Sequence, residues 1–256
     1  MEDNMIQWIN LFIAETIKQK RSLSWAVIAL APLLMFIFNF MIGLSGYYGT
    51  KANGSEIMDT ILNNSLNLWA LIMLPVALSL LAALNANVEF CNNQWKHIYS
   101  LPIPTWKIMS VKWVINIALS AIAHFLHFAL MITAGFILVT INGHSFAGAV
   151  DYVYLFQHIF IIFLGSIMIV TIQTILALIF DNFLLVMSLG TGLMISNYFI
   201  AQSRFGYLSP WAHPMRLNRF MSEDPYFWPL IAVNTLGSLI LAYWVFNILK
   251  NRQITA

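Results

Sequence analysis

The chain of 256 residues is 60% hydrophobic, and its 12 basic and 10 acidic residues leave only 9% of it charged, with a net charge of +2. A soluble domain is about a quarter charged, so water is not the solvent for most of this surface; the basic residues gather at helix ends and form no stripe, so no nucleic-acid partner is expected. The single cysteine, Cys91, excludes an internal disulfide and a cluster of several thiolates around a metal.

The first element predicted is a helix over 4–21. Met5, Trp8, Ile9, Phe12, Ile13, Thr16 and Ile17 recur at the i, i+3, i+4, i+7 spacing of one helical face. Asn4, Gln7, Asn10, Glu15 and Lys18 fall largely off that face. The pattern is that of an amphipathic helix lying in the membrane interface, with a plain extension of the first span as the alternative. Glu2, Asp3 and Glu15 in this stretch are unlike a cleavable signal.

Six stretches free of Asp, Glu, Lys and Arg follow, at 22–50, 60–88, 113–141, 152–180, 182–203 and 225–249. Each is long enough to cross about 30 Å of hydrocarbon, which takes roughly 20 helical residues. Short segments of alternating polarity, as in a barrel, are lacking. The fold class expected is therefore an all-α polytopic membrane protein in one domain over 1–256. Its six transmembrane helices fall near 23–46, 64–87, 111–141, 154–180, 183–203 and 227–249. Pro32 and Pro75 fall inside spans one and two, where neighbouring helices compensate the lost hydrogen bond. Ser188, Gly192 and Ser196 form a small-residue ridge on span five, beside Gly190. Such ridges let membrane helices approach closely; we expect the contact within the chain, with a second subunit as the alternative.

Placing the N-terminus in the cytoplasm puts Lys18, Lys20, Arg21, Lys96, Lys107, Lys112, Lys250 and Arg252 inside, against Lys51, Arg204, Arg216 and Arg219 outside. Eight against four follows the positive-inside rule. Both termini and the connection 88–108 are then cytoplasmic, and 204–226 is external.

Catalytic motifs are missing. No glycine precedes a lysine, so no phosphate loop is present, and H-E-x-x-H, C-x-x-C and G-x-S-x-G do not occur. His124 and His127 lie one turn apart in span three and His158 opens span four. Intramembrane ionisable groups mark functional sites by default, so a haem or metal site on these three histidines is one function to weigh; interhelical hydrogen bonding and packing, or the lining of a polar cleft or translocation path, is the reading preferred. The spans hold no carboxylate for ion coupling. If this protein moves something, the energy enters through a partner.

The connection after span two breaks the apolar text: Glu89, then "NNQWKHIYSLPIPTWKIMSVK". Residues 90–100 contain no helix breaker, and Pro102 and Pro104 stop the helix and stiffen the return to span three. Glu89, together with Leu101, Pro102, Ile103, Lys107, Ile108 and Lys112 in order, resembles the permease subunits of ABC-2 type ATP-binding-cassette exporters. The likeness is nearest to the lantibiotic-immunity and bacitracin-resistance branches. Where many members carry Gly-Thr, this chain has Gln94-Trp95.

The resemblance implies an elbow helix anchored by Trp8, Phe12 and Ile13. It implies a coupling helix that docks into an ATPase through Glu89, Asn93, Gln94, Trp95, Lys96, His97, Tyr99 and Pro102. The implied partners are two ABC ATPase subunits, which bind the ATP and Mg, leaving no cofactor in this chain and no enzyme activity of its own. A second permease copy or a related permease, membrane lipids and an amphipathic peptide or lipid-like cargo complete the set, in the bacterial plasma membrane. Re-entrant helices are implied between spans five and six, and Trp211, Tyr226, Phe227 and Trp228 suit either interfacial anchors or cargo contacts. A scaffold or sensor subunit without transport is a further alternative.

Overall fold

The computed structural model describes residues 2–20, 22–45, 54–90, 103–141, 151–180, 182–201, 203–220 and 224–250. Among them the regular elements are all helical: α1 (Glu2–Gln19), α2 (Ser24–Leu44), α3 (Gly54–Leu68), α4 (Leu74–Phe90), α5 (Thr105–Ile141), α6 (Tyr152–Ile179), α7 (Phe183–Ile200), α8 (His213–Phe220), α9 (Phe227–Ala232) and α10 (Ser238–Lys250). Two π-turns, Trp69–Met73 and Val233–Gly237, join α3 to α4 and α9 to α10. Six helices are long and apolar enough to cross a membrane.

Spans two and three are longer than their charge-free text. They run over Gly54–Val88 and Thr105–Ile141, taking in Glu56 and Asp59 at one start and Lys107 and Lys112 at the other. Lack of charge marks the hydrocarbon-embedded part of a helix, whereas backbone hydrogen bonding continues into water. Pro75 stands at the second position of α4, directly after the first π-turn. Proline removes an N–H and crowds the carbonyl four residues back; the wider π-turn gives that carbonyl room without breaking the span. At the other connection Asn182 caps α7, its Oδ1 accepting from Leu185 N at 3.1 Å. Asp181, between α6 and α7, lies outside the described residues.

The bundle is built around spans two and four. In each, 67% of the most apolar window is buried, against 17% in span five and 28% in span six. Helix α6 packs on α4, α5, α8 and α10, while α2 lies along α5. Trp69, Leu62, Leu66, Leu138, Ile162 and Ile169 are fully buried between them. Lipid tails are as apolar as these side chains, so close van der Waals packing and interhelical hydrogen bonds hold the helices together.

The connection between spans five and six folds back into the bundle. Its 3-10 turns, Gly206–Leu208 and Pro210–Ala212, lead into α8, which packs against α6. A Cβ on Gly165 would meet the Cα of Pro214 at 3.1 Å. Gly165 lies thirteen residues along α6 from Tyr152, about 20 Å at 1.5 Å per residue. A side chain there would press on backbone, so glycine lets the segment reach this depth. Two of the aromatics expected as interfacial anchors or cargo contacts behave otherwise: Trp211 and Phe227 are core residues, and only Tyr226 and Trp228 are exposed. The cause is that Trp211 sits in the re-entrant turn and Phe227 faces α8 and α6.

Candidate functional site

Beside a buried chain of hydrogen bonds from Ser24 through Asn85 and Asn116 to Thr174, three polar constellations stand out in the interior, and the first joins α1 to the start of α5. The apolar face of α1 is exposed along Met5, Ile9, Phe12, Ile13 and Ile17, as an interfacial helix requires. Its opposite edge docks. Glu15 Oε2 accepts from Lys112 Nζ and Oε1 from Lys18 Nζ, both at 2.6 Å, and Gln7 Oε1 accepts from Lys107 Nζ at 2.7 Å. Trp8 meets Trp106 edge to face at 5.7 Å and lies under Lys107. Burial opposes the charge on Glu15, but Lys112, and after it Lys18, outweigh that penalty and hold the carboxyl below its ordinary range. Helix α5 begins shortly after the proposed coupling segment, so α1 and the base of span three form one ion-paired joint.

Of the expected coupling residues, Asn93, Gln94, Trp95, Lys96, His97, Tyr99 and Pro102 lie outside the described residues. Glu89 is in the last turn of α4, so span two continues helically through the position expected to start the coupling helix.

The second constellation sits at mid-bundle. His127 stacks on Trp69 at 4.3 Å with planes 11° apart, and His124 meets Trp69 edge to face at 5.7 Å. His127 Nε2 lies 3.5 Å from Ser65 Oγ, which accepts from Asn39 Nδ2 at 3.3 Å. His124 Nδ1 is 2.8 Å from the carbonyl of Ser120. Trp69 Nε1, Ser120 Oγ, Asn39 Oδ1, His124 Nε2 and His127 Nδ1 are buried without a partner among the described residues. Sequence reasoning singled out both histidines but missed Trp69, Ser65 and Asn39, whose partners in this cluster stand on other helices.

A third set pins the re-entrant segment to four spans. Asn218 bonds His158 Nδ1 of span four at 2.8 Å and donates to Asn67 of span two at 3.2 Å. Asn197 of span five donates to Trp211 O at 2.8 Å. Asn234, in the second π-turn, donates to His213 Nδ1 at 3.0 Å, and His213 Nε2 reaches Tyr207 O at 3.0 Å. His158 is thus a partner of the re-entrant segment. Among the described residues no three of His, Cys, Asp and Glu gather as metal ligands.

The small-residue ridge corrects an expectation. Ser188, Gly192 and Ser196 face away from the bundle, and a Cβ on Gly192 would meet nothing within 4 Å. Gly190, on the opposite side, is the position that packs inside: a Cβ there would collide with Ser79 and Gln173. The spacing of four identified one face of α7 but not which way it points.

A family model described as ABC-2 family transporter protein matches residues 11–197. No curated protein and no solved structure matches the chain. The matched region takes in the second half of α1, spans one to four and most of span five, so it contains the Glu15–Lys112 ion pair and the mid-bundle cluster. With nearly three-quarters of its length covered by that model, the chain belongs to the ABC-2 family of transporter proteins.

Proposed function

We propose that the chain is the membrane subunit of an ATP-driven exporter, powered by two separate ABC ATPase subunits that bind ATP and Mg. The observation that carries this reading is the joint of Glu15 with Lys112 in a member of the ABC-2 family. It fastens an interfacial helix to the base of span three, next in sequence to the 88–108 connection. A push delivered by an ATPase at Glu89 and the Asn93–Tyr99 stretch would then move α1 and α5 together. The chain itself hydrolyses nothing.

The cargo is an amphipathic peptide, a peptide antibiotic or a lipid-like molecule, expelled from the bacterial plasma membrane with both termini of the permease in the cytoplasm. On this reading the protein is akin to the lantibiotic-immunity and bacitracin-resistance branches and serves resistance to membrane-active antibiotics, which the motif Leu101–Lys112 supports. A second copy, or a related permease, completes a twelve-span pathway, and the outward ridge of Ser188, Gly192 and Ser196 suits that contact.

Co-expression with ABC ATPases of the source genome, starting with any encoded beside this reading frame, tests the proposal. A stable complex that is lost in Glu89→Ala supports it; failure of any ABC ATPase to co-purify with the intact chain refutes it.

A further inference from the structure

At the end of the bundle that carries Glu89 and Lys112, a hydrogen-bond relay crosses the first four spans. Ser24 Oγ donates to Asn85 Oδ1, Asn85 Nδ2 to Asn116 Oδ1, and Asn116 Nδ2 to Thr174 Oγ1 at 2.9 Å. The four residues belong in turn to α2, α4, α5 and α6, and all are buried. Both amide atoms of each asparagine are met, whereas five polar atoms of the mid-bundle cluster have no partner among the described residues. A fully satisfied polar network in a low-dielectric interior rigidifies what it joins. The relay is therefore a stiff layer across one end of an otherwise apolar bundle.

Its central bond joins two helices that otherwise stand apart. Helix α4 packs on α2, α6 and α7, and α5 packs on α2, α3 and α6, while α4 and α5 make little contact with each other. Span two thus meets span three through its other half, α3, and the π-turn Trp69–Met73 separates that half from α4. Such a turn inside a helix is a place where the axis can bend. Helices α4 and α5 are also the two stems of the connection that leaves one after Phe90 and enters the other at Thr105.

Asn85 lies one helical turn before Glu89, and Asn116 one turn beyond Lys112. The bond between them is thus one turn inside both the position proposed to meet the ATPase and the ion pair that holds α1. Without it, a push on the connection would splay α4 from α5 about the π-turn. With it, both stems move together, and Ser24 and Thr174 carry spans one and four along.

We propose that Asn85 and Asn116 are positioning residues for the ATP-driven step: their bond clamps the two stems, so that movement imposed at Glu89 reaches the re-entrant segment instead of dissipating between α4 and α5. The inference rests on the reading of the chain as an ATPase-driven permease.

The clamp is tested first on the full chain alone. A double-mutant cycle of Asn85→Leu and Asn116→Leu, unfolded from mixed micelles by dodecyl sulfate, should show a coupling of about threefold in the unfolding constant, the average for a hydrogen bond between membrane helices. Its role is then tested in nanodiscs holding the complex with the ABC ATPase, the chain carrying Tyr207→Cys and Cys91→Ser. Trapping the ATPase with ATP and vanadate should change the rate at which a water-soluble maleimide labels position 207 by about fivefold or more, the low end of allosteric couplings. With Asn85→Leu added, ATP hydrolysis should continue near its original rate while the two labelling rates become equal; a residue needed for folding alone would lose both. Asn85→Ala, which removes the amide without adding bulk, takes its place if the leucine variant does not assemble. No coupling in the cycle, or labelling that still answers to the ATPase in the Asn85 variant, would overturn the proposal and leave the transport reading standing. Labelling that ignores ATP when Asn85 is intact would refute that reading and the proposal together.

Discussion

Glu15 of α1 and Lys112 of α5, ninety-seven positions apart in the chain, form a buried ion pair at 2.6 Å. Both side chains are more than nine-tenths removed from solvent. Taking charges out of water is unfavourable, and such a pair persists only where geometry and further hydrogen bonds offset that cost. Lys18 supplies the second bond to Glu15. The pair is therefore a specific joint, in contrast to the weak surface ion pairs found on most helices.

The joint makes stability depend on pH in one direction. The Glu15 carboxyl is held below its ordinary value of 4.5 in the folded chain. Its contribution is complete above that value and is lost as pH falls through the lower, folded pKa. At neutral pH, Glu15→Gln should destabilise the chain by about 3 kcal/mol, the cost of breaking a buried pair. Melting curves in detergent from pH 7 downward should show wild type and variant converging in acid. A gap between them that stays constant with pH would refute the ion-pair account.

The two glycines of α7 should behave oppositely. Gly190→Ala places a methyl against Ser79 and Gln173 and should cost about 1–3 kcal/mol through overpacking. Gly192→Ala meets open space and should alter the stability of the isolated chain by less than about 0.5 kcal/mol. Under the proposed pairing of permeases, Gly192→Leu should instead weaken self-association, read by cross-linking or light scattering of the detergent-solubilised protein.

Much of the fold is legible in the sequence because hydrocarbon imposes a simple requirement. A span must satisfy its own backbone and carry few charges, and both conditions can be read from text. The polar edge of α1 is visible in Gln7 and Glu15, although the sequence reads their partners, Lys107 and Lys112, as positive-inside charges and as part of the motif after span two, with nothing to link them to α1. A hydrogen bond between helices nearly a hundred residues apart leaves no local pattern. The same holds for Asn39, a lone polar residue in apolar text, and for Ser65 and Asn67 in the polar stretch 63–67 and Asn234 beside Thr235: none shows its partner until packing brings it near. The direction of the Ser188–Gly192–Ser196 ridge was misjudged for a related reason. Periodicity fixes which residues share a face, whereas the neighbours of that face are decided by the whole bundle.

The re-entrant segment should come loose when its pins are removed. His158→Phe and Asn218→Leu each leave a buried polar partner unmet, at about 1–3 kcal/mol. The double variant removes both polar groups and should be less harmful than the sum of the single changes. Cysteine labelling at Tyr207 in a Cys91→Ser background would follow the segment: the single variants should label faster than wild type, and the double variant at an intermediate rate.

The most direct test is transport by the purified chain, reconstituted into proteoliposomes with its ATPase. An amphipathic peptide should be moved across the bilayer only when ATP is present on the ATPase side. Movement should stop with an ATPase whose phosphate-loop lysine is replaced, and with the permease variant Glu89→Ala. Stimulation of ATP hydrolysis by the same peptide should depend on the permease. Peptide movement that proceeds without ATP, or hydrolysis and transport unchanged in Glu89→Ala, would contradict the account of an ATPase-driven permease.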